Sequence, residues 1–146
     1  MTWTITEVAE AMRDIDFCML QTIAVDGSIA ARPMSNNENV EFDGDSWFFA
    51  TEDTTMVADI NADPRVGVSY VGKGGLKGLM GAPGKFLHAE GKAELVRDKS
   101  LFEKYWDSSL ERWWPEGTET PGLLLIKVAV SRVHYWDGED EGEVIL

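Results

Sequence analysis

An arginine, three threonines and an aromatic run fall close together in the first half of the chain, and as a group they suit an anion attached to a flat ring. Arg32 stands in Arg32-Pro33-Met34, among small and apolar neighbours. A guanidinium there matches a phosphate or carboxylate with two parallel hydrogen bonds. Taken singly, Arg32 reads somewhat better as one half of a rim salt bridge. Thr51, Thr54 and Thr55 follow the aromatic stretch Trp47-Phe48-Phe49-Ala50 and surround the start of a predicted helix. Hydroxyls beside the free N–H groups of a helix start form an anion site by geometry and dipole, although any one of these threonines is explained by capping. A phosphorylated aromatic ligand fits the grouping better than a peptide or a metal ion does.

Other chemistries find less support. Structural or catalytic metal sites need three or four closely spaced ligands, and the chain offers one cysteine and two separated histidines, His88 and His134. Cys18 sits in the apolar run Phe17-Cys18-Met19-Leu20, where burial raises a thiol pKa and makes it inert. There is no Gly-x-Ser-x-Gly elbow and no Ser-His-Asp ordering. The tryptophans, including Trp47, Trp106, the Trp113-Trp114 pair and Trp136, belong mostly to core or subunit contacts.

The net charge of −13 argues against a nucleic-acid or anionic-membrane binder, because such binding needs clustered lysine and arginine. It also means that any phosphate site must be locally basic within an acidic field. A single cysteine and the lack of a basic-then-apolar leader point to a cytoplasmic setting. No apolar stretch reaches the ~20 residues of a membrane helix. The 146 residues make one domain, with 137–146 read as a solvated acidic tail.

The elements that must position these residues are mostly strands. Ile5, Val8, Ala9, Met12 and Ile15 recur at helical spacing, with Thr4 and Glu7 as a capping box and Trp3 and Val8 placed as a hydrophobic staple. Residues 17–25 form a strand that turns at Asp26-Gly27, a dipeptide suited to a type I′ hairpin. Tight pairing then sets Gln21 opposite Arg32 and Met19 opposite Met34. Residues 40–42 and 46–50 form a second hairpin around Asp43-Gly44-Asp45. A helix over 54–62 is capped by Asp53 or Thr54 and stopped by Asp63-Pro64. A strand over 65–71, a glycine-rich loop over 72–84 and an alternating strand over 86–96 follow. Asp98 caps a helix carrying Leu101, Phe102, Tyr105, Trp106 and Leu110, and a Trp113-Trp114-Pro115 corner comes after it. Strands over 123–130 and 132–136 end the pattern. Six or seven strands without a βαβ rhythm predict a small antiparallel barrel.

Several segments together resemble a known family. Met19-Leu20-Gln21-Thr22, Asp26-Gly27, Arg32-Pro33-Met34-Ser35 and Trp47-Phe48-Phe49-Ala50-Thr51 are similar to the pyridoxamine 5′-phosphate oxidase-like, FMN-binding split barrels. Ala62-Asp63-Pro64-Arg65-Val66, residues 88–94, Trp113-Trp114-Pro115 and Tyr135-Trp136-Asp137 resemble the general stress protein 26 branch. The resemblance implies a mainly β, six-stranded antiparallel Greek-key split barrel. It also implies a homodimer with FMN, or FAD, held in the subunit interface. Carried over by position, Arg32 would contact the flavin or its phosphate, and Pro33 and Met34 would line the ring. Phe49, Ala50 and Thr51 would give edge and backbone contacts, Thr54 and Thr55 would hold phosphate, and Trp113 and Trp136 would reach the partner's flavin.

The implied function is that of a flavin-dependent oxidoreductase with a link to stress, exchanging electrons with a small donor and acceptor. The alternative is a flavin-binding or storage protein without turnover. A deazaflavin or haem variant is a third reading, and haem would need His88 or His134 as axial ligand. One departure stands out. Many relatives carry Ser-x-Lys after the third strand, with lysine on the phosphate, where this chain has Thr54-Thr55-Met56. Loss of that charge-assisted contact weakens FMN by roughly 1.5–3 kcal/mol, enough to give cofactor-free preparations unless Lys73, Lys77 or Lys85 compensates.

Overall fold

The computed structural model describes residues 2–36, 41–72 and 84–146. The chain opens with helix α1 (Ile5–Arg13), whose cap is the expected box: Thr4 Oγ1 accepts from the Glu7 N–H, and Glu7 Oε1 accepts from the Thr4 N–H. Its apolar face buries Val8, Ala9 and Met12. Trp3, just before it, stacks flat on Tyr135 at 4.2 Å.

Strands β1 (Phe17–Ile23) and β2 (Ile29–Ser35) form the first hairpin. Its register differs by one residue from the tight-turn expectation: Leu20 faces Arg32, Gln21 faces Ala31 and Cys18 faces Met34. The cause is the turn. Ala24 donates to the Ser28 carbonyl, which leaves a three-residue loop, and the Gly27 N–H donates to the Ala24 carbonyl. Only Gly27 takes a positive φ, +88°, whereas a type I′ turn needs two such residues.

Strand β3 (Asp45–Thr51), helix α2 (Thr55–Ala62), β4 (Arg65–Val71) and β5 (Phe86–Val96) follow. Next come α3 (Lys99–Tyr105) and two short 3-10 turns, Ser108–Arg112 and Gly117–Glu119. Leu110, expected on the same helix as Leu101, lies in the first of these turns. Strand β6 (Leu123–Asp137) and β7 (Asp140–Ile145) close the chain. The antiparallel sheet runs β2-β1-β4-β5-β6-β3, with β7 also on β6. Among the described residues it is an open, split barrel of seven strands, within the six or seven read from the pattern and one more than the resemblance implies.

β6 is one strand where two were expected. It continues through Ser131, which bulges out where Glu90 faces Arg132 and Gly91 faces Val130. A Cβ on Gly91 would collide with the Ala129 carbonyl, so the bulge needs glycine opposite it. β3 pairs with the first half of β6 and β7 with the second. The expected hairpin over 40–50 is therefore replaced, since β3 takes β6 as its partner and Glu41 and Phe42 lie outside any strand. Val40 lies outside the described residues.

The acidic tail is corrected as well. Gly138, at φ +63°, turns the chain so that Asp137 faces Asp140, and β7 runs back along β6. Its carboxylates find partners across the strand: Glu141 lies 2.8 Å from a ring nitrogen of His134, and Glu143 lies 3.8 Å from the Arg132 guanidinium. Those cross-strand partners offset the poor strand propensity of acidic residues. The glycine-rich loop falls largely outside the described residues, as do Lys73 and Lys77.

Candidate functional site

The β3–α2 junction places the hydroxyls. Phe48, Phe49 and Ala50 are buried in succession, because both faces of β3 are covered. Phe48 and Ala50 join the main core, and Phe49 joins a second cluster with Phe102, Leu110, Leu123 and Leu125. The chain then reverses. Thr54 caps α2, with Oγ1 accepting from the Val57 N–H at 3.3 Å and donating to the Thr51 carbonyl at 3.1 Å. Thr51 Oγ1 donates to Asp53 at 2.8 Å. The first N–H groups of α2, on Thr55 and Met56, have no acceptor within the helix.

The second cluster anchors the opposite rim. The Phe49 ring meets Trp106 edge-on at 5.0 Å and Phe102 at 6.1 Å, with Trp114 at 6.4 Å. Trp47 stacks on Tyr105. These contacts dock α3 and the following 3-10 turn against β3, so that Leu110, Trp113 and Trp114 overhang it. Between them and β2 lies a cleft of about 320 Å³. It is lined by Phe17, Pro33, Met34, Ser35, Phe49, Ala50, Thr51, Thr54, Met56, Leu110, Trp113 and Trp114.

Seven of the ten expected site residues therefore meet here: Pro33, Met34, Phe49, Ala50, Thr51, Thr54 and Trp113. Phe17, Ser35, Leu110 and Trp114 were not nominated from sequence. The Trp113-Trp114-Pro115 corner was the one available signal for Trp114. Met56 forms apolar wall where an ammonium was expected in relatives, and no lysine or arginine lines the cleft among the described residues.

Arg32, Thr55 and Trp136 do not line it. The Arg32 guanidinium is turned to Asp59 on α2, 3.6 Å away, and also donates to Thr22 Oγ1 at 2.7 Å and the Leu20 carbonyl at 3.3 Å. Thr22 in turn donates to Asp59 at 3.1 Å. Asp59 is only 1% exposed, and a carboxylate that buried requires a cation and hydrogen bonds. Thr55 is exposed on the helix start. Trp136 stacks on His134 at 4.1 Å on the outer face of the sheet.

That outer face carries a second, wider depression of about 790 Å³ bordered by Gln21, Gly67, His88 and Glu90. Size alone favours it, yet it is an open trough, and the nominated cofactor residues gather at the smaller cleft. Here the two histidines, read as separate in the sequence, face each other across β5 and β6. His88 Nδ1 lies 3.0 Å from Ser69 Oγ, which accepts from Gln21 Nε2. Cys18 is buried, and desolvation pushes its thiol up to about 12. No helix among the described residues is long and apolar enough to cross a membrane.

Comparison with known proteins bears on the assignment. A search of curated proteins finds no match. Among solved structures, a Clostridium acetobutylicum protein related to general stress protein 26 of B. subtilis superposes with a TM-score of 0.79 at 15% identity, covering 97% of this chain and 94% of that one. General stress protein 26 from Bacillus anthracis gives 0.76 at 21% identity, covering 97% and 98%. A heme binding protein from Mycobacterium smegmatis gives 0.75 at 12% identity, covering 99% of this chain and 59% of the other. At such identities these likenesses carry the fold alone. The family model described as "Pyridoxamine 5'-phosphate oxidase like" matches residues 4–146. With that match running from the capping box of α1 to the last residue, the chain belongs to the pyridoxamine 5′-phosphate oxidase-like family.

Proposed function

We propose that this protein binds a flavin mononucleotide in the cleft between β2, β3 and the Trp113-Trp114 corner and acts as a flavin-dependent oxidoreductase. One observation carries the reading: flat apolar side chains and hydroxyls share one cleft at a helix start. Pro33, Met34, Phe49 and Trp113 would hold the ring system. Thr51, Thr54 and the first N–H groups of α2, with Thr55 beside them, suit the phosphate. When bound, the flavin supplies the electron-transfer chemistry, while the protein orients it and excludes water. Arg32 acts one step behind, as a positioning residue that holds Asp59 and hence α2.

The size of the cleft supports a shared site. About 320 Å³ is at the low end for ligand pockets, roughly 300–1,000 Å³, and suits a ring better than a whole mononucleotide. A second copy of the chain, packed as a homodimer, would supply the remaining wall. Exposed Phe17, Met19, Phe86 and Trp136 fit such a contact. FAD is the larger alternative ligand. Haem is disfavoured, since neither His88 nor His134 lines the cleft to serve as an axial ligand.

The test is calorimetric titration of the purified chain with FMN, alongside Trp113→Ala. Uptake by the wild type with weakened binding by the variant supports the site. No uptake at high micromolar FMN removes it. The second reading, flavin storage without turnover, is favoured by one feature: no titratable side chain lines the cleft among the described residues. Stopped-flow mixing with NADH or NADPH separates the two. Rapid bleaching followed by reoxidation marks an enzyme, and tight binding with negligible reduction marks a carrier.

A further inference from the structure

We propose that Arg112 supplies the positive charge that the hydroxyls and N–H groups of the β3–α2 junction lack, and takes a phosphate group of the ligand that enters this cleft. The proposal rests on the cleft being the ligand site, and it names a residue that neither the motif pattern nor the cleft lining singles out.

The first observation is how the cations are disposed. Five of the six arginines hold a carboxylate: Arg13 with Glu41, Arg32 with Asp59, Arg65 with Asp63, Arg97 with Glu52 and Arg132 with Glu90. Arg112 holds none among the described residues. In a chain with 26 acidic residues, a guanidinium kept clear of carboxylates has not been neutralised by its surroundings.

The second observation is what Arg112 touches instead. Its guanidinium lies 5.2 Å from the Trp113 ring centre and 5.8 Å from that of Phe17. Both rings line the cleft. A cation resting on exposed rings is held weakly and keeps its hydrogen-bonding fork unused. Phosphate is the group that fork matches bidentately.

The third observation is need. Among the described residues the cleft walls contain no cation, Arg32 is engaged by Asp59, and Lys85 sits over the Trp3 ring. A phosphate entering this acidic molecule needs a local positive charge, and among the described residues Arg112 is the one that rests on rings of the cleft wall. The 3-10 turn that carries it is fixed by Asp107, which accepts from the Ser109 N–H, and by buried Leu110. The backbone is therefore held while the side chain is free to turn inward.

The phosphate has two possible sources, the flavin's own tail or a nicotinamide nucleotide reductant. Arg112→Gln removes the charge and keeps a planar end, whereas Arg112→Lys keeps the charge and loses the fork. If the tail is read, Arg112→Gln weakens FMN about tenfold or more, shifts riboflavin by less than about twofold, and Arg112→Lys recovers part of the loss. If the reductant is read, FMN binding is unchanged and the KM for NADPH rises about tenfold with kcat retained. Equal weakening of FMN and riboflavin, or no change in either affinity or in KM, overturns the proposal. Failure of the wild type to take up any flavin would sink the flavin reading separately. The arginine is then tested with inorganic phosphate, following the Arg112 Nε–H resonance identified by its loss in Arg112→Lys. A saturable shift absent at matched sodium chloride supports the assignment, and no shift overturns it.

Discussion

The Arg32 guanidinium stands 3.6 Å from the Asp59 carboxylate, and the aspartate side chain is all but inaccessible to water. A pair of this kind is costly to break from one side only, because the remaining charge stays buried. Arg32→Ala is expected to destabilise the fold by about 3 kcal/mol, at the low end for such pairs because the arginine is partly exposed. Adding Asp59→Asn to that variant should restore part of the loss. Denaturant unfolding of the two variants checks this. Wild-type stability in Arg32→Ala with a selective loss of FMN binding would assign the guanidinium to the ligand instead.

The rim of the cleft depends on its satellite core. Leu110 is 5% exposed and touches both that core and the cleft. Leu110→Ala should cost about 2 kcal/mol, the low end for such truncations, because the neighbouring cleft lets the site relax. Flavin affinity should fall with it, as the Trp113-Trp114 corner loosens. Melting curves and FMN titration of the same variant test both halves.

Gly91 is required by its neighbours. A methyl group there meets the Ala129 carbonyl at the Ser131 bulge, and backbone cannot yield as a flexible side chain can. Gly91→Ala is expected to destabilise by about 1–3 kcal/mol or more through overpacking. Gly138→Ala, where nothing lies within reach and only the positive φ of +63° is strained, should cost less. Comparing the two unfolding midpoints decides it.

Cys18 should behave as a silent thiol. Burial pushes its pKa up to about 12, so the folded protein keeps the proton that the unfolded chain releases near pH ~8.5. A raised folded value gives stability that is complete below the unfolded pKa and is lost progressively as pH rises toward the folded one. A thiol-specific reagent at pH 8 should leave the native protein unlabelled and modify it promptly in denaturant. Cys18→Ala should flatten the early alkaline fall in stability.

Local patterns were legible where one force dominated. The alternation of Leu87, Ala89 and Ala93 set out β5, and Thr4 with Glu7 marked the start of α1. Long-range choices were not legible. Nothing local tells Asp26-Gly27 that Val25 joins the loop, so the hairpin register slid by one residue. β7 looked like a solvated tail because its carboxylates find Arg132 and His134 only after β6 is in place. The same holds at the site. Phe49, Ala50, Thr51 and Thr54 were readable as one group and do line one cleft, but the destination of Arg32 was not legible. A clue was present in Asp59, a carboxylate among Met56, Val57 and Ile60 on the buried face of α2, since an acid so placed must find a cation.

The decisive measurement is the visible spectrum of the purified chain after incubation with FMN and removal of free flavin by gel filtration. A flavin band co-eluting in stoichiometric amount with a dimer-sized protein peak, and reduced in Trp113→Ala, is the predicted result. A colourless protein peak, with all FMN recovered in the small-molecule fraction and riboflavin and FAD behaving alike, would contradict the assignment of the β3 cleft as a flavin site.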